Sequence, residues 1–275
     1  MRIQDMPCYC ITLARRPDRW SRFAAQSEVA ELPKLKKVLA VDGKTIDVIS
    51  DKRINPFTKR NILFKKRRAH EEIDSVGAIG CTLSHYNIWH EFLQTDAPFA
   101  LILEDDAILP PGFIKEMNLV IENHAALKGG NWDVLTFSRV KKFKNPMIGP
   151  TDFGDVKNFA LSHAQIVSRR AAKLFYENAL PISNHVDFYM SMICMLNDLK
   201  IVGSPMYALP QAGSKSDIQT RPTCPMCDIP TDFDLNYSLI PHGDWYRAKA
   251  SEYALLAILI GYIGYRVMYK PGGSK

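Results

Sequence analysis

The sequence predicts an α/β fold, a mixed sheet flanked by helices, on three observations. Apolar runs of strand length alternate with stretches of helical periodicity over residues 8–209. One of these runs, PFALIL at 98–103, is apolar without interruption, the mark of a strand buried on both faces. The composition, 47% hydrophobic and 23% charged in 275 residues, excludes a disordered chain and supplies a sizeable core.

Residues 8–13 (CYCITL) predict the first strand, with Cys8 and Cys10 on one side of it because strand side chains alternate. Residues 16–30 predict a helix with Asp18 near its start, and residues 36–41 (KKVLAV) a second strand ending at the turn Asp42-Gly43. Residues 77–95 predict a helix opened by glycines, with Leu83, Tyr86, Trp89, His90 and Leu93 at helical spacing. The strand at 98–103 ends abruptly in Glu104-Asp105-Asp106. A helix follows over about 112–126, then a strand at 132–137 (WDVLTF). Residues 138–158, rich in Lys, Pro and Gly, predict a loop; 159–167 (FALSHAQIV) predict a strand and 169–179 a helix. A helix at 185–197 carries Met190 and Met195 as core candidates, and short strands are expected at 200–202 and 206–209. With no internal repeat and no clear linker, one domain is expected over 1–220, followed by an extension at 221–275.

The net charge of +6 is modest and suits a phosphate-bearing ligand or an anionic surface without demanding either. Much of it lies in residues 52–68 (KRINPFTKRNILFKKRR), which contain no acid. A solvated face and attraction to anionic lipid or a charged acceptor both fit the run. Nucleic acid is not an expected partner, because no reader motif accompanies it. The N-terminal apolar run is short and followed by Arg15, Arg16 and Arg19, unlike a signal peptide, so a reducing cytoplasmic setting is expected. The six cysteines fit free thiols; zinc at Cys224 and Cys227 needs two further ligands and no second pair exists. Residues 253–265 (YALLAILIGYIGY) are apolar all round a helix but too short to span a bilayer, which takes about 20 residues. With Tyr253, Tyr262, Tyr265, Tyr269, Arg266 and Lys270 this segment suits a peripheral position on a membrane face, or a buried terminal helix.

Three consecutive acids after a buried strand repel one another unless a cation neutralises them. Ligands of open α/β sheets bind at the carboxyl ends of strands, where Glu104, Asp105 and Asp106 emerge, and hard oxygen donors select Mg²⁺ or Mn²⁺. An acidic turn or helix cap before Pro110-Pro111 is the alternative.

Further segments carry a resemblance. Gly77 to His85 followed by Trp89 is similar to the GxxGCxLSHxxxW signature of glycosyltransferase family 25. Residues 11–19 (ITLARRPDR) resemble its opening INLxxRxDR, residues 40–43 (AVDG) its AxDG, and residues 103–107 (LEDDA) its acidic motif. Residues 164–168 (AQIVS) resemble its AYxxS strand and Val186-Asp187 its PVD. The segments stand in family order over residues 8 to about 220, while the region beyond Arg221 matches nothing in the pattern. Thr12 stands where Asn is usual, Gln165 where Tyr is common, and His185 in place of Pro.

The resemblance implies a GT-A-like, Rossmann-like domain. It implies an inverting hexosyltransferase, usually moving galactose from UDP-galactose to a glycan or lipooligosaccharide, or in the collagen-modifying branch to protein hydroxylysine. It implies Mn²⁺ or Mg²⁺ on Asp106 and Asp105, with Asp105 or Glu104 at the ribose. Arg15, Arg16 and Arg19, after Thr12, are expected at the nucleotide phosphates, and Asp42 with Gly43 at the uridine. Gly80 is expected to allow close approach of helix and ligand, with Ser84 and His85 toward the donor. Inversion needs a carboxylate to take the acceptor proton; Asp187 is the first candidate, with Asp152, Asp155 and Asp217 as alternatives and a helix-terminal acid as the plainer role. Trp89 fits the core. A glucosyl- or N-acetylhexosaminyltransferase of the same fold, or a catalytically silent glycan-binding relative, stands beside the galactosyltransferase.

Overall fold

A computed structural model describes residues 1–65, 71–143, 153–213, 218, 256–263 and 265. Its strands are β1 Cys8–Thr12, β2 Leu35–Leu39, β3 Phe99–Glu104, β4 Val134–Thr136, β5 Arg139–Phe143, β6 Gly154–Ala160, β7 Ala164–Ser168 and β8 Ile201–Gly203. Its helices are α1 Pro17–Ala24, α2 Ser27–Ala30, α3 Pro56–Phe64, α4 Val76–Leu93, α5 Phe113–Asn123, α6 Arg169–Asn178 and α7 Val186–Leu196. The strands form one mixed sheet in the order β2-β1-β3-β7-β4-β8-β6-β5. β1 runs parallel to β2 and β3, while β7 runs antiparallel to β3 and β4. The start of β7 therefore meets the carboxyl end of β3, with Leu103 opposite Ala164.

Alternation along the buried strands builds a core on each face. Cys8, Cys10, Leu101, Leu103 and Ile166 face Phe23 of α1 and Phe113, Ile114 and Met117 of α5. Tyr9, Ile11, Ala100, Ile102 and Val167 face Ile88, Trp89 and Phe92 of α4, Phe175 of α6 and Met190 of α7. Cys8 and Cys10 thus share one side, and Trp89 is fully buried. The chain is an α/β fold with a mixed sheet flanked by helices, consistent with a GT-A-like arrangement.

Local chemistry fixes the helix starts. Ser75 Oγ accepts from Ala78 N at 3.3 Å ahead of α4, and Ser168 Oγ from Ala171 N at 3.0 Å ahead of α6. Asn55 and Pro56 open α3 in the same way, with the side chain accepting from Phe57 N at 2.9 Å.

Several expectations are corrected. The helix expected over 16–30 breaks into α1 and α2 at Ala25–Gln26. The loop expected at 138–158 contains β5 and β6, whose polar faces lack the continuous apolar signature of β3; residues 144–152 lie outside the described set. The strand expected at 159–167 is the end of β6, a corner at Leu161, Ser162 and His163, and then β7. The short strand expected at 206–209 is a 3-10 turn at Pro205–Tyr207, and the basic run contains α3. Cys224 and Cys227 lie outside the described residues.

The chain divides into two compact units, Met1–Lys66 with Glu71–Pro222, and Arg67–His70 with Thr223–Lys275. Within the second, residues 256–263 are helical and exposed. Among the described residues no helix is long and apolar enough to cross a membrane.

Candidate active site at the ends of β1 and β3

The acidic triplet closes β3 beside β1, where Asp105 N donates to Ile11 O at 3.0 Å. Thr12, the last residue of β1, donates its hydroxyl to Asp105 Oδ2 at 2.7 Å. Pro17 begins α1 and sets its first turn under the triplet, so that Arg19 spans two acids. Its Nε lies 3.2 Å from Asp105 Oδ1 and its Nη2 2.7 Å from Asp106 Oδ2. The segment after β8 closes the other side: Ala212 N donates to Asp106 O at 2.7 Å and Gln211 Nε2 lies 3.4 Å from Asp106 Oδ2. Asp106 Oδ1 is buried and has no hydrogen-bond partner among the described residues.

Glu104 turns toward α4 and the β6–β7 corner. Ser162 Oγ donates to its Oε1 at 2.8 Å, and its backbone N donates to His163 O at 2.8 Å. Burial first, and then the Asp106 charge, push the Glu104 carboxyl up to about 8. Burial also raises Asp105, opposed by the Thr12 hydroxyl and the Arg19 guanidinium. The corner is itself pinned: Leu161 adopts φ +73°, and Asp187 Oδ2 accepts from its N–H at 2.8 Å. Asp187 Oδ1 accepts from Phe188 N at 2.9 Å in the first turn of α7. Asp187 therefore ties α7 to the corner that holds Glu104.

The sequence profile of glycosyltransferase family 25 (LPS biosynthesis protein) matches residues 5–190. The chain belongs to glycosyltransferase family 25. A "Glycosyltransferase 25 family member" of Anopheles gambiae is 32% identical over 131 residues, which are 48% of this chain and 21% of that protein. "Procollagen galactosyltransferase 2" of Homo sapiens is 29% identical over 124 residues, 42% of this chain and 18% of that one. "Inactive glycosyltransferase 25 family member 3" of Homo sapiens is 28% identical over 136 residues, 48% and 21% of the two chains. The chain spans about a fifth of the length of these relatives.

The family's α4 segment serves first as a packing seam. A Cβ on Gly80 would lie inside contact distance of Val41 O and 2.8 Å from Gly43 N, so the close approach is of helix to the turn after β2. Ser84 Oγ accepts from Val41 N at 2.9 Å and donates to Gly80 O at 2.6 Å, so its hydroxyl holds that seam together. His85 is fully buried, 3.9 Å from Glu104 Oε1 through Nε2. Arg15 Nε donates to Asp42 Oδ2 at 2.7 Å, and its guanidinium holds the Asp42 carboxyl below the usual range. Arg16 pairs with Asp18, lowering that carboxyl to about 2. The structure thus gathers Thr12, Arg19, Asp105 and Asp106 in one cluster, turns Glu104 toward Ser162 and His85, and sets Arg15 with Asp42 in a pair beyond the end of β1. Asp155 lies in β6 with Lys200 Nζ at 3.4 Å, while Asp152 and Asp217 are outside the described residues. Ser162, His163 and Gln211 were not singled out in the sequence; the polar pair Ser162-His163 interrupting an apolar run was the signal for the corner.

Proposed function

We propose that this chain is an inverting, metal-assisted hexosyltransferase that moves galactose from UDP-galactose to a glycan or lipooligosaccharide acceptor. The observation that carries it is Asp106 Oδ1, a carboxylate oxygen buried without a hydrogen-bond partner among the described residues, at the carboxyl ends of two parallel strands. Such an atom in a set of hard oxygen donors fits Mn²⁺ or Mg²⁺, held by Asp106 with Asp105. The cation would supply neutralisation of the charge on the departing diphosphate.

The chain's own groups do the rest. Arg15 and Arg16, exposed to half-buried beyond β1, offer guanidinium donors to the phosphates, and Arg19 keeps Asp105 and Asp106 in place. Asp42 beside Gly43 meets the uridine. Glu104 is turned toward Ser162 and His85, which leaves Asp105 for the ribose hydroxyls. Asp187 takes the acceptor hydroxyl proton; its carboxylate is half-buried, and each oxygen keeps a lone pair beside its backbone donor. The printed name of the human procollagen galactosyltransferase supports galactose as the sugar; protein hydroxylysine is the weaker acceptor, and glucose or an N-acetylhexosamine the alternative donor sugar. The exposed apolar helix at 256–263 supports peripheral attachment to a membrane face.

A catalytically silent relative is the second function. Arg19 already places a positive charge across Asp105 and Asp106, and a human relative carries the name inactive. A donor screen for UDP release with Mn²⁺ and with EDTA separates the two. Manganese-dependent release from UDP-galactose supports the enzyme; donor binding without turnover of any UDP-sugar supports the silent relative and ends the galactosyltransferase proposal.

A further inference from the structure

Cys81 and His85 stand four residues apart on α4, a spacing that stacks their side chains on one face of the helix. Glu104 reaches that face from the end of β3. One ligand atom from each of the three lies within 4.8 Å of the others, and His85 Nε2 is 3.9 Å from Glu104 Oε1.

The protonation of His85 follows from its neighbours. Its Nδ1 lies 3.1 Å from the Cys81 carbonyl, which only accepts, so Nδ1 carries the hydrogen and Nε2 presents a lone pair. Nε2 is buried, has no hydrogen-bond partner among the described residues, and faces Glu104 Oε1. The ring itself is 0% exposed. A nitrogen lone pair and a carboxyl oxygen facing each other in a buried space need a proton or a cation between them.

We propose that Cys81, His85 and Glu104 form a second cation site, for Zn²⁺ or a comparable borderline dication, separate in donor chemistry from the Asp105 and Asp106 carboxylates. Sulfur, imidazole nitrogen and one carboxylate oxygen are a zinc donor set, whereas the neighbouring acids offer hard oxygen only. Zinc bonds of about 2.0–2.3 Å at tetrahedral angles place donor atoms about 3.3–3.6 Å apart. The His85–Glu104 separation of 3.9 Å, and separations to Cys81 Sγ within 4.8 Å, contract to that range as the side chains close on the ion. The outer partners are those that orient such ligands: Nδ1–H toward a carbonyl, and Ser162 Oγ–H to Glu104 Oε1 at 2.8 Å. Three protein ligands leave one position for water. On binding, the Cys81 thiol gives its proton to solvent, and thiolate, neutral imidazole and carboxylate hold the dication.

The test uses the full chain and zinc alone. Protein equilibrated with Zn²⁺ and passed into metal-free buffer is expected to keep about one zinc per chain, measured by mass spectrometry. Cys81→Ser or His85→Gln weakens that binding by more than about 100-fold. The double variant Cys224→Ser/Cys227→Ser retains the zinc. Cobalt loaded in its place gives a thiolate-to-metal absorption band that Cys81→Ser removes, and the same band in the Cys224→Ser/Cys227→Ser protein decides the matter should Cys81→Ser fail to fold. Wild-type protein that keeps no zinc and shows no thiolate band overturns the site, leaving a proton shared by Glu104 and His85. Zinc that leaves with Cys224 and Cys227 rather than with Cys81 overturns it equally.

Discussion

Asp106→Asn removes one charge from the triplet while keeping the side chain's shape. Its attraction to Arg19, at 2.7 Å between Nη2 and Oδ2, is lost. That pair amounts to about 4 kcal/mol at a charge separation of ~4 Å and an effective dielectric of ~20. Relief of repulsion from Asp105 returns about 3 kcal/mol at ~6 Å under the same dielectric. Glu104, held up to about 8, is mostly protonated near neutral pH and adds little repulsion. The net loss of stability is therefore small, about 1 kcal/mol. Catalysis should suffer far more, because the variant loses the buried oxygen with no partner: turnover is expected to fall by about 10²–10³-fold, the usual range for removing one electrostatic contact to a transition state. UDP release across a manganese series, beside urea unfolding of both proteins, measures the two effects. Wild-type turnover at saturating manganese refutes the metal role. A stability loss of several kcal/mol would instead make Asp106 a structural partner of Arg19.

Asp187→Asn should lower turnover by about 10²-fold or more with donor affinity kept, as removal of a general base does. Collapse of UDP-sugar affinity instead identifies Asp187 as the residue that positions the Leu161 corner under Glu104. Gly80→Ala should destabilise by about 1–3 kcal/mol, because the added methyl meets the backbone of Val41 and Gly43, and an unchanged urea midpoint would contradict the seam. Asp42 has a folded pKa depressed by Arg15, so its contribution to stability is present above the unfolded value of about 3.9 and disappears as pH falls through the folded one. Asp42→Asn should therefore flatten the stability profile on the acid side, and equal slopes for both proteins would count against the pair. Removing residues 252–275 should release the protein from anionic vesicles while transfer to a small soluble acceptor continues; continued vesicle binding rules out the tail as the anchor.

How much was legible depended on whether a signal was local. β1, β3, α4, α6 and α7 announced themselves through continuous burial or helical period, and the acids at the end of β3 stood out because charge follows an apolar run without transition. Arg19 was expected near the nucleotide phosphates; that it spans Asp105 and Asp106 depends on the angle at which α1 leaves Pro17, which no spacing encodes. β5 and β6 were missed because their strands alternate or are polar, and Lys, Pro and Gly between them read as a loop. A glycine and a hydroxyl at a helix start suit a ligand in the sequence; in the fold Gly80 and Ser84 meet the turn after β2, a contact between segments some forty residues apart.

The corner at Leu161–His163 links what the sequence left separate. A left-handed residue other than glycine costs roughly 1–2 kcal/mol, so something must hold Leu161 there. The Asp187 carboxylate does so by accepting its N–H, a charge-assisted bond of about 1.5–3 kcal/mol that offsets the strain. With the corner so held, Ser162 and His163 meet the side chain and backbone of Glu104 at once. Glu104 then faces His85 on one side while Asp106 faces Arg19 on the other. Adjacent residues of one strand end thus carry their carboxylates into two different environments, one with sulfur and nitrogen and one with oxygen and a guanidinium. That division is why a single acidic run offers two cation chemistries, and why loss of Asp187 should disturb the Glu104 side before the Asp106 side.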